Sequence, residues 1–221
     1  MGGKRESSLA AAAYKQIENL IVTLELPPGS MLSETGLSAR LSIGRTPIRE
    51  AIKRLEREGL VVVLPQRGFM VSQINLAHHL QMLEVRGHLE LLVGRTAALR
   101  ASEEERQEML KVADVIEAAA AQGDKTLFID DSWDSHSLPV VATHNESMVT
   151  AMSLFFGQSR RFWFAHCERF ANIREIGKLH ADRLRAIAGG DPDEAEAASR
   201  RLMEYLEAFA RSTVDFSIAR A

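Results

Sequence analysis

Between residues 8 and 71, helix-stop and helix-start signals follow one another at short intervals, which confines this stretch to a small helical unit. Apolar Leu9, Ala13, Ile17, Ile21 and Leu24 recur at helical spacing over residues 8–25, and Pro27-Pro28-Gly29 ends that helix. Ser33 before Glu34 is an N-cap for a short helix to about Leu41, with Leu37 and Leu41 on one face. Thr46-Pro47 opens a third helix, Thr46 as cap and Pro47 in first position, where its missing N–H costs nothing. Ile48, Ala51, Ile52 and Leu55 form the buried stripe of that helix, and Gly59 suits the left-handed residue that ends it. Two β-prone runs, 60–64 and 69–71, flank the turn Pro65-Gln66-Arg67-Gly68 and read as a hairpin. Helix, helix–turn–helix and hairpin is the order of a winged helix.

Beyond residue 75 the β-prone runs stop. Helical segments are expected at about 76–100, 103–121, 124–142, 146–158, 159–188 and 192–218. Gly123, Gly157 and Gly189-Gly190 separate them, and Asp191-Pro192 opens the last. The chain of 221 residues thus reads as mainly α: a winged helix-turn-helix domain over 1–75 and an all-α helical bundle over 76–221. The single cysteine, Cys167, excludes an intramolecular disulfide and a cysteine-based zinc site. No apolar run approaches the roughly 20 residues of a transmembrane helix, and the N-terminus lacks an apolar signal core, so a cytoplasmic location is expected.

The net charge of −3 argues on its face against nucleic acid, but it is unevenly divided. Residues 1–75 carry ten Lys/Arg and seven acids, a balance of +3, while the remainder carries seventeen and twenty-three, a balance of −6. Position matters more than sum. Arg45 and Arg49 lie one turn apart at the start of the third helix, away from its apolar stripe. That end of a recognition helix reaches base edges, and arginine suits bidentate contact with guanine or phosphate. Arg67 stands at the hairpin tip beside Gly68.

The stretch from Tyr14 to Val71 resembles the winged-helix domain of the GntR family of bacterial transcriptional regulators. The resemblance runs through Leu26-x-Pro28-Gly29-x-x-Leu32-Ser33-Glu34, Leu37, Leu41 and Arg45-Thr46-Pro47-Ile48-Arg49-Glu50-Ala51, then Arg54-Leu55-x-x-x-Gly59-Leu60 and Arg67-Gly68-Phe69-x-Val71. It implies that Arg45, Thr46, Pro47 and Arg49, with the wing tip Arg67-Gly68, form the contact with double-stranded operator DNA. Thr35 and Gly44 depart from the pattern, where a basic residue and a Ser or Thr are usual, and each departure removes a phosphate contact.

Residues 76–215 are similar, more loosely, to the all-helical FCD ligand-binding domain of the FadR subgroup. Arg86-x-x-Leu89-Glu90, His136 with Asn145 nine residues on, and His180-x-x-x-Leu184-x-Ala186-Ile187-x-x-Gly190-Asp191 carry the likeness. It implies an effector site that includes Arg86, His136, Asn145 and His180. Many such domains hold a metal with three histidines and an aspartate. Here His136 and His180 are present, but Leu202 stands at the third histidine position and Ser132 at the aspartate position. A divalent transition metal is therefore disfavoured and no cofactor is assigned; a metal-free pocket for an organic acid or related small metabolite is expected. For Arg86 the alternative is an ion pair with Glu90, one turn on.

No phosphate-binding glycine loop, Gly-x-Ser-x-Gly elbow or His-Glu-x-x-His helix occurs, so an enzyme is not expected. The expectation is a homodimeric, sequence-specific DNA-binding regulator whose operator binding is modulated by an effector in the helical bundle, with no membrane partner.

Overall fold

A computed structural model describes residues 2–123, 134–170 and 172–218. The chain divides into two compact units. The first comprises residues 1–75 together with 157–165, the second 76–156 and 166–221. The mainly helical class read from the sequence holds, with one small sheet.

The first unit contains α1 (Gly2–Val22), β1 (Met31–Leu32), α2 (Glu34–Leu41), α3 (Arg45–Arg57), β2 (Val61–Leu64) and β3 (Gly68–Val71). Ile17, Ile21, Ile48, Ile52, Leu55 and Leu60 are all completely buried in one core, joined by Leu37 from α2 and Val71 from β3. Full burial of such side chains is worth about 1.5–3 kcal/mol each, which fixes α1 and α2 against α3. Ser33 caps α2 as expected, its hydroxyl accepting from the Gly36 amide at 3.0 Å. At the end of α3, Gly59 has φ 72°. Its amide bonds the Glu56 carbonyl and the Leu60 amide bonds the Leu55 carbonyl, the double bond pattern of a glycine-terminated helix.

Three expectations change here. The first helix ends at Val22, not at 25: Leu24 turns left-handed at φ 60°, and the Leu26 amide returns to the Leu20 carbonyl. Leu9, placed on its buried face, is 43% exposed. Thr46 does not cap α3; Gly44 is the last extended residue, Arg45 the first helical one, and Pro47 the third. Pro47 remains within the first turn, where helical N–H groups have no partner to lose. The sheet also has a strand that periodicity could not reveal in so short a run. Its order is β1-β3-β2, antiparallel throughout, with Leu32 opposite Phe69 and Leu64 opposite Gly68.

The second unit is helical: α4 (Leu76–Arg100), α5 (Glu103–Gln122), α6 over 134–141, α7 (Glu146–Phe170) apart from its residues 157–165, which belong to the first unit, α8 (Ile173–Gly189) and α9 (Pro192–Ile218). α4 packs on α9 and α8, and α5 on α8. Ser102 and Glu105 form a reciprocal capping box at the start of α5. Asp191 caps α9 by accepting from the Asp193 and Glu194 amides. The expected break near 158 is absent, because α7 runs unbroken through Gly157. That glycine serves packing: a Cβ there would stand 2.6 Å from Cδ1 of Leu60. Helix α8 starts instead at Asn172, whose side chain accepts from the Glu175 amide. Ser132 and residues 124–133 of the expected helix lie outside the described residues.

Candidate nucleic-acid interface and buried charge cluster

In the first unit, the start of α3 is a polar surface above an apolar base. Arg45, Thr46 and Arg49 are exposed, whereas Pro47, Ile48, Ala51 and Ile52 are buried. No side chain caps the helix, so its first amides and the positive end of its dipole face outward. Arg49 is held from α2: its Nε lies 2.7 Å from Oε1 of Glu34 and its Nη2 2.7 Å from Oε2. The Arg49 hydrogen bond and the nearby Arg45 charge hold the Glu34 carboxyl below its ordinary range.

The wing tip is built for a close turn. The Arg67 amide donates to the Leu64 carbonyl at 3.0 Å across Pro65-Gln66, with Gln66 left-handed at φ 62°. Gly68 has φ 93°, and a Cβ on it would meet the Leu32 carbonyl at 2.9 Å, so only glycine fits between wing and β1. Arg67 itself is exposed. Arg54, farther along α3, is spoken for: it lies 3.6 Å over the Tyr14 ring and pairs with Glu58, which also accepts from the Tyr14 hydroxyl at 2.8 Å. It joins α3 to α1.

In the second unit, α4, α6, α8 and α9 converge on a cluster of buried charge. Arg86 binds Oε1 of Glu90 through Nε at 3.0 Å and Nη2 at 2.8 Å, both residues on α4. Arg183 on α8 reaches the other oxygen, Oε2, at 2.6 Å and takes Oγ of Ser199 on α9 at 3.2 Å. Arg86, Glu90 and Arg183 are each 1% exposed. Nη2 of Arg86 also donates to Nδ1 of His136 at 3.1 Å. A guanidinium has no acceptor, so that nitrogen carries the lone pair. His136 stacks on Phe156 at 5.7 Å and meets His180 edge-on at 4.9 Å, while Nδ1 of His180 lies 3.3 Å from Oγ of Ser135.

Two buried guanidiniums thus share one buried carboxylate. Burial would raise the Glu90 carboxyl, but Arg183 and Arg86 together outweigh it and hold it below its ordinary range. Burial, with the charges of Arg183 and Arg86, pushes His180 down to about 3, so its imidazole is neutral at physiological pH.

Arg86, His136 and His180 come together as expected, and the Arg86–Glu90 ion pair forms as well. Asn145 is elsewhere: its Oδ1 caps α7, accepting from the Ser147 and Met148 amides. Sequence reasoning missed Arg183, although it stands three residues after His180 and so on the same face of α8. Of the expected metal ligands, His136 and His180 are described side by side, while Ser132 lies outside the described residues. Nδ1 of His136 accepts from a guanidinium, and Leu202 is a buried hydrocarbon that cannot serve as a ligand. Among the described residues no group of three His, Cys, Asp or Glu could hold a metal ion.

Comparison with known proteins adds the following. Residues 9–71 match the model of bacterial regulatory proteins of the gntR family, and residues 81–205 match that of the FCD domain. An HTH-type transcriptional regulator of Streptomyces ambofaciens is 44% identical over 64 residues, 29% of this chain and 27% of that protein. An HTH-type transcriptional regulator of Agrobacterium vitis is 30% identical over 136 residues, 62% of this chain and 74% of the relative. Among solved structures, E. coli McbR/YncC superposes with a TM-score of 0.77 at 18% identity, covering 93% of this chain and 98% of that one, a likeness of fold. No described helix is long and apolar enough to cross a membrane.

Proposed function

The chain belongs to the GntR family of bacterial regulatory proteins and carries an FCD domain; on that premise we propose that it is a sequence-specific operator-binding regulator governed by a small anionic effector in its helical unit. The family consists of DNA-binding transcriptional regulators, not enzymes. In this reading α3 lies in the major groove, with Arg45, Thr46 and Arg49 at the bases and phosphates, Pro47 setting the start of the helix, and Arg67-Gly68 at the neighbouring groove.

The observation that carries the effector reading is the pair of buried guanidiniums, Arg86 and Arg183, gathered on one carboxylate beside a neutral His180 among the described residues. An organic acid suits such a cluster, since arginine binds carboxylate bidentately. Arg86, His136 and His180 would take it, with Arg183, and no metal is needed. The test is thermal unfolding against a panel of small carboxylic acids and their amides. The expected result is an upward shift with an acid, none with its amide, and loss of the shift in Arg86→Met. An amide acting as well as its acid would overturn the reading. A transition metal found by elemental analysis and lost in His136→Ala would overturn its metal-free part.

Dimerisation belongs to the same proposal. Val85, Leu92 and Leu99 recur every seven residues on α4 and are 55%, 48% and 66% exposed, an apolar stripe that a second copy can cover. Leu92→Asp should yield a monomer by light scattering. Cytoplasmic action follows from the operator as target.

A further inference from the structure

We infer that Glu34 positions Arg49 for a guanine and so sets the base preference of the recognition helix. The inference rests on the reading of α3 as the DNA-reading helix. Glu34 engages Arg49 side-on, through Nε and Nη2, both at 2.7 Å. That geometry uses the single Nε–H and one N–H of Nη2. The end edge of the guanidinium, formed by Nη1 and the outward N–H of Nη2, is left for another partner. Two parallel donors of this kind match O6 and N7 of guanine in the major groove. Adenine offers one acceptor and one donor there, and a guanidinium cannot accept from the donor.

Glu34 is itself anchored. It is the first residue of α2, behind the Ser33 cap, and its side chain is 22% exposed against 56% for Arg49. A fixed carboxylate therefore holds a long, mobile cation in one rotamer before DNA arrives, which removes an ordering cost on binding. It also places a negative charge on a surface that meets phosphates. Glu34 thus weakens indiscriminate DNA binding while strengthening binding to the correct site. Opposite signs on two duplexes are a signature that neither plain repulsion nor plain structural support produces.

The experiment uses the full chain and two duplexes of equal length: one selected by the wild-type protein from a randomised pool, and one scrambled. Affinities are read by fluorescence anisotropy at one salt concentration. Glu34→Ala is expected to weaken binding to the selected duplex about tenfold, the scale of one lost bidentate base contact, and to strengthen binding to the scrambled duplex about two- to threefold. Reselection with this variant should lose the guanine preference at one position per half-site. Glu34→Gln, which keeps the shape, should fall between wild type and Glu34→Ala on both duplexes. Tighter binding to both duplexes would make Glu34 a mere repellent, and weaker binding to both would make it a structural support; either overturns the inference. Arg49→Ala separates the two layers. If that variant binds the selected duplex like wild type, the reading of α3 fails. If it weakens while Glu34→Ala discriminates normally, only the role of Glu34 fails.

Discussion

Nη2 of Arg183 on α8 lies 2.6 Å from one oxygen of Glu90 on α4, while Arg86 holds the other oxygen. One carboxylate therefore ties two helices together and neutralises half of the positive charge around it. Glu90→Gln keeps the shape but strands both guanidiniums. It should cost about 3–5 kcal/mol in chemical denaturation, the scale for removing one partner of a buried pair. A cost under 1 kcal/mol would mean that the cations find other partners.

His180 supplies a pH dependence of known sign. Its folded pKa is pushed down to about 3 from 6.5, so the unfolded chain binds a proton first. Its contribution to stability is complete above about pH 6.5 and is lost progressively as the pH falls towards 3. The slope within that window is about 1.4 kcal/mol per pH unit. Glu90, whose carboxyl is held low, begins to lose its own contribution only below its unfolded value of 4.5. The interval from pH 6.5 to 4.5 therefore separates the histidine from Glu90, and subtracting the variant removes the groups that both proteins share. The stability of wild type minus that of His180→Asn, followed by urea unfolding, should decrease with acidification across it.

Arg67 at the wing tip is exposed, and its backbone is set by a hydrogen-bonded turn. Arg67→Ala should leave thermal stability within about 0.5 kcal/mol, as for surface substitutions generally. It should also reduce the slope of log affinity against log salt by about one, which titrations at several salt concentrations would detect.

At Gly94, α4 and α9 pack closely. A Cβ there would stand 2.8 Å from the Ala195 carbonyl and 2.6 Å from Oγ of Ser199, the partner of Arg183. The carbonyl is backbone and cannot swing aside. Gly94→Ala should therefore destabilise by about 1–3 kcal/mol despite alanine's higher helix propensity, the usual cost of overpacking. An increase in melting temperature would show that the helices separate freely.

What could be read from the sequence was local. The Ser33 cap, the Gly59 helix end, the Asp191-Pro192 start and the apolar stripe of α3 are each signalled within a few residues. Gly157 misled because a glycine in a helix looks the same whether it ends the helix or admits a neighbour, and only the position of Leu60 distinguishes the two. β1 is two residues long and owes its existence to β3, so no periodicity announces it. Arg86, His136 and His180 came from a family resemblance. Arg183 had no such guide, and its role depends on Glu90, which stands 93 residues away. The Arg49–Glu34 pair spans 15 residues and two helices, beyond the reach of helical spacing rules.

Where α3 passes into the hairpin, backbone hydrogen bonds leave little slack: the Leu60 amide returns to Leu55, the Ser72 amide bonds the Leu60 carbonyl, and Oγ of Ser72 bonds the Gly59 carbonyl. In the proposed reading, α3 and its wing should therefore meet DNA as a single stamp of fixed pitch. Such a stamp would measure the distance between two grooves as well as the bases within one. An operator with every contacted base intact, but with its groove width altered between the contacts, should be refused on shape alone.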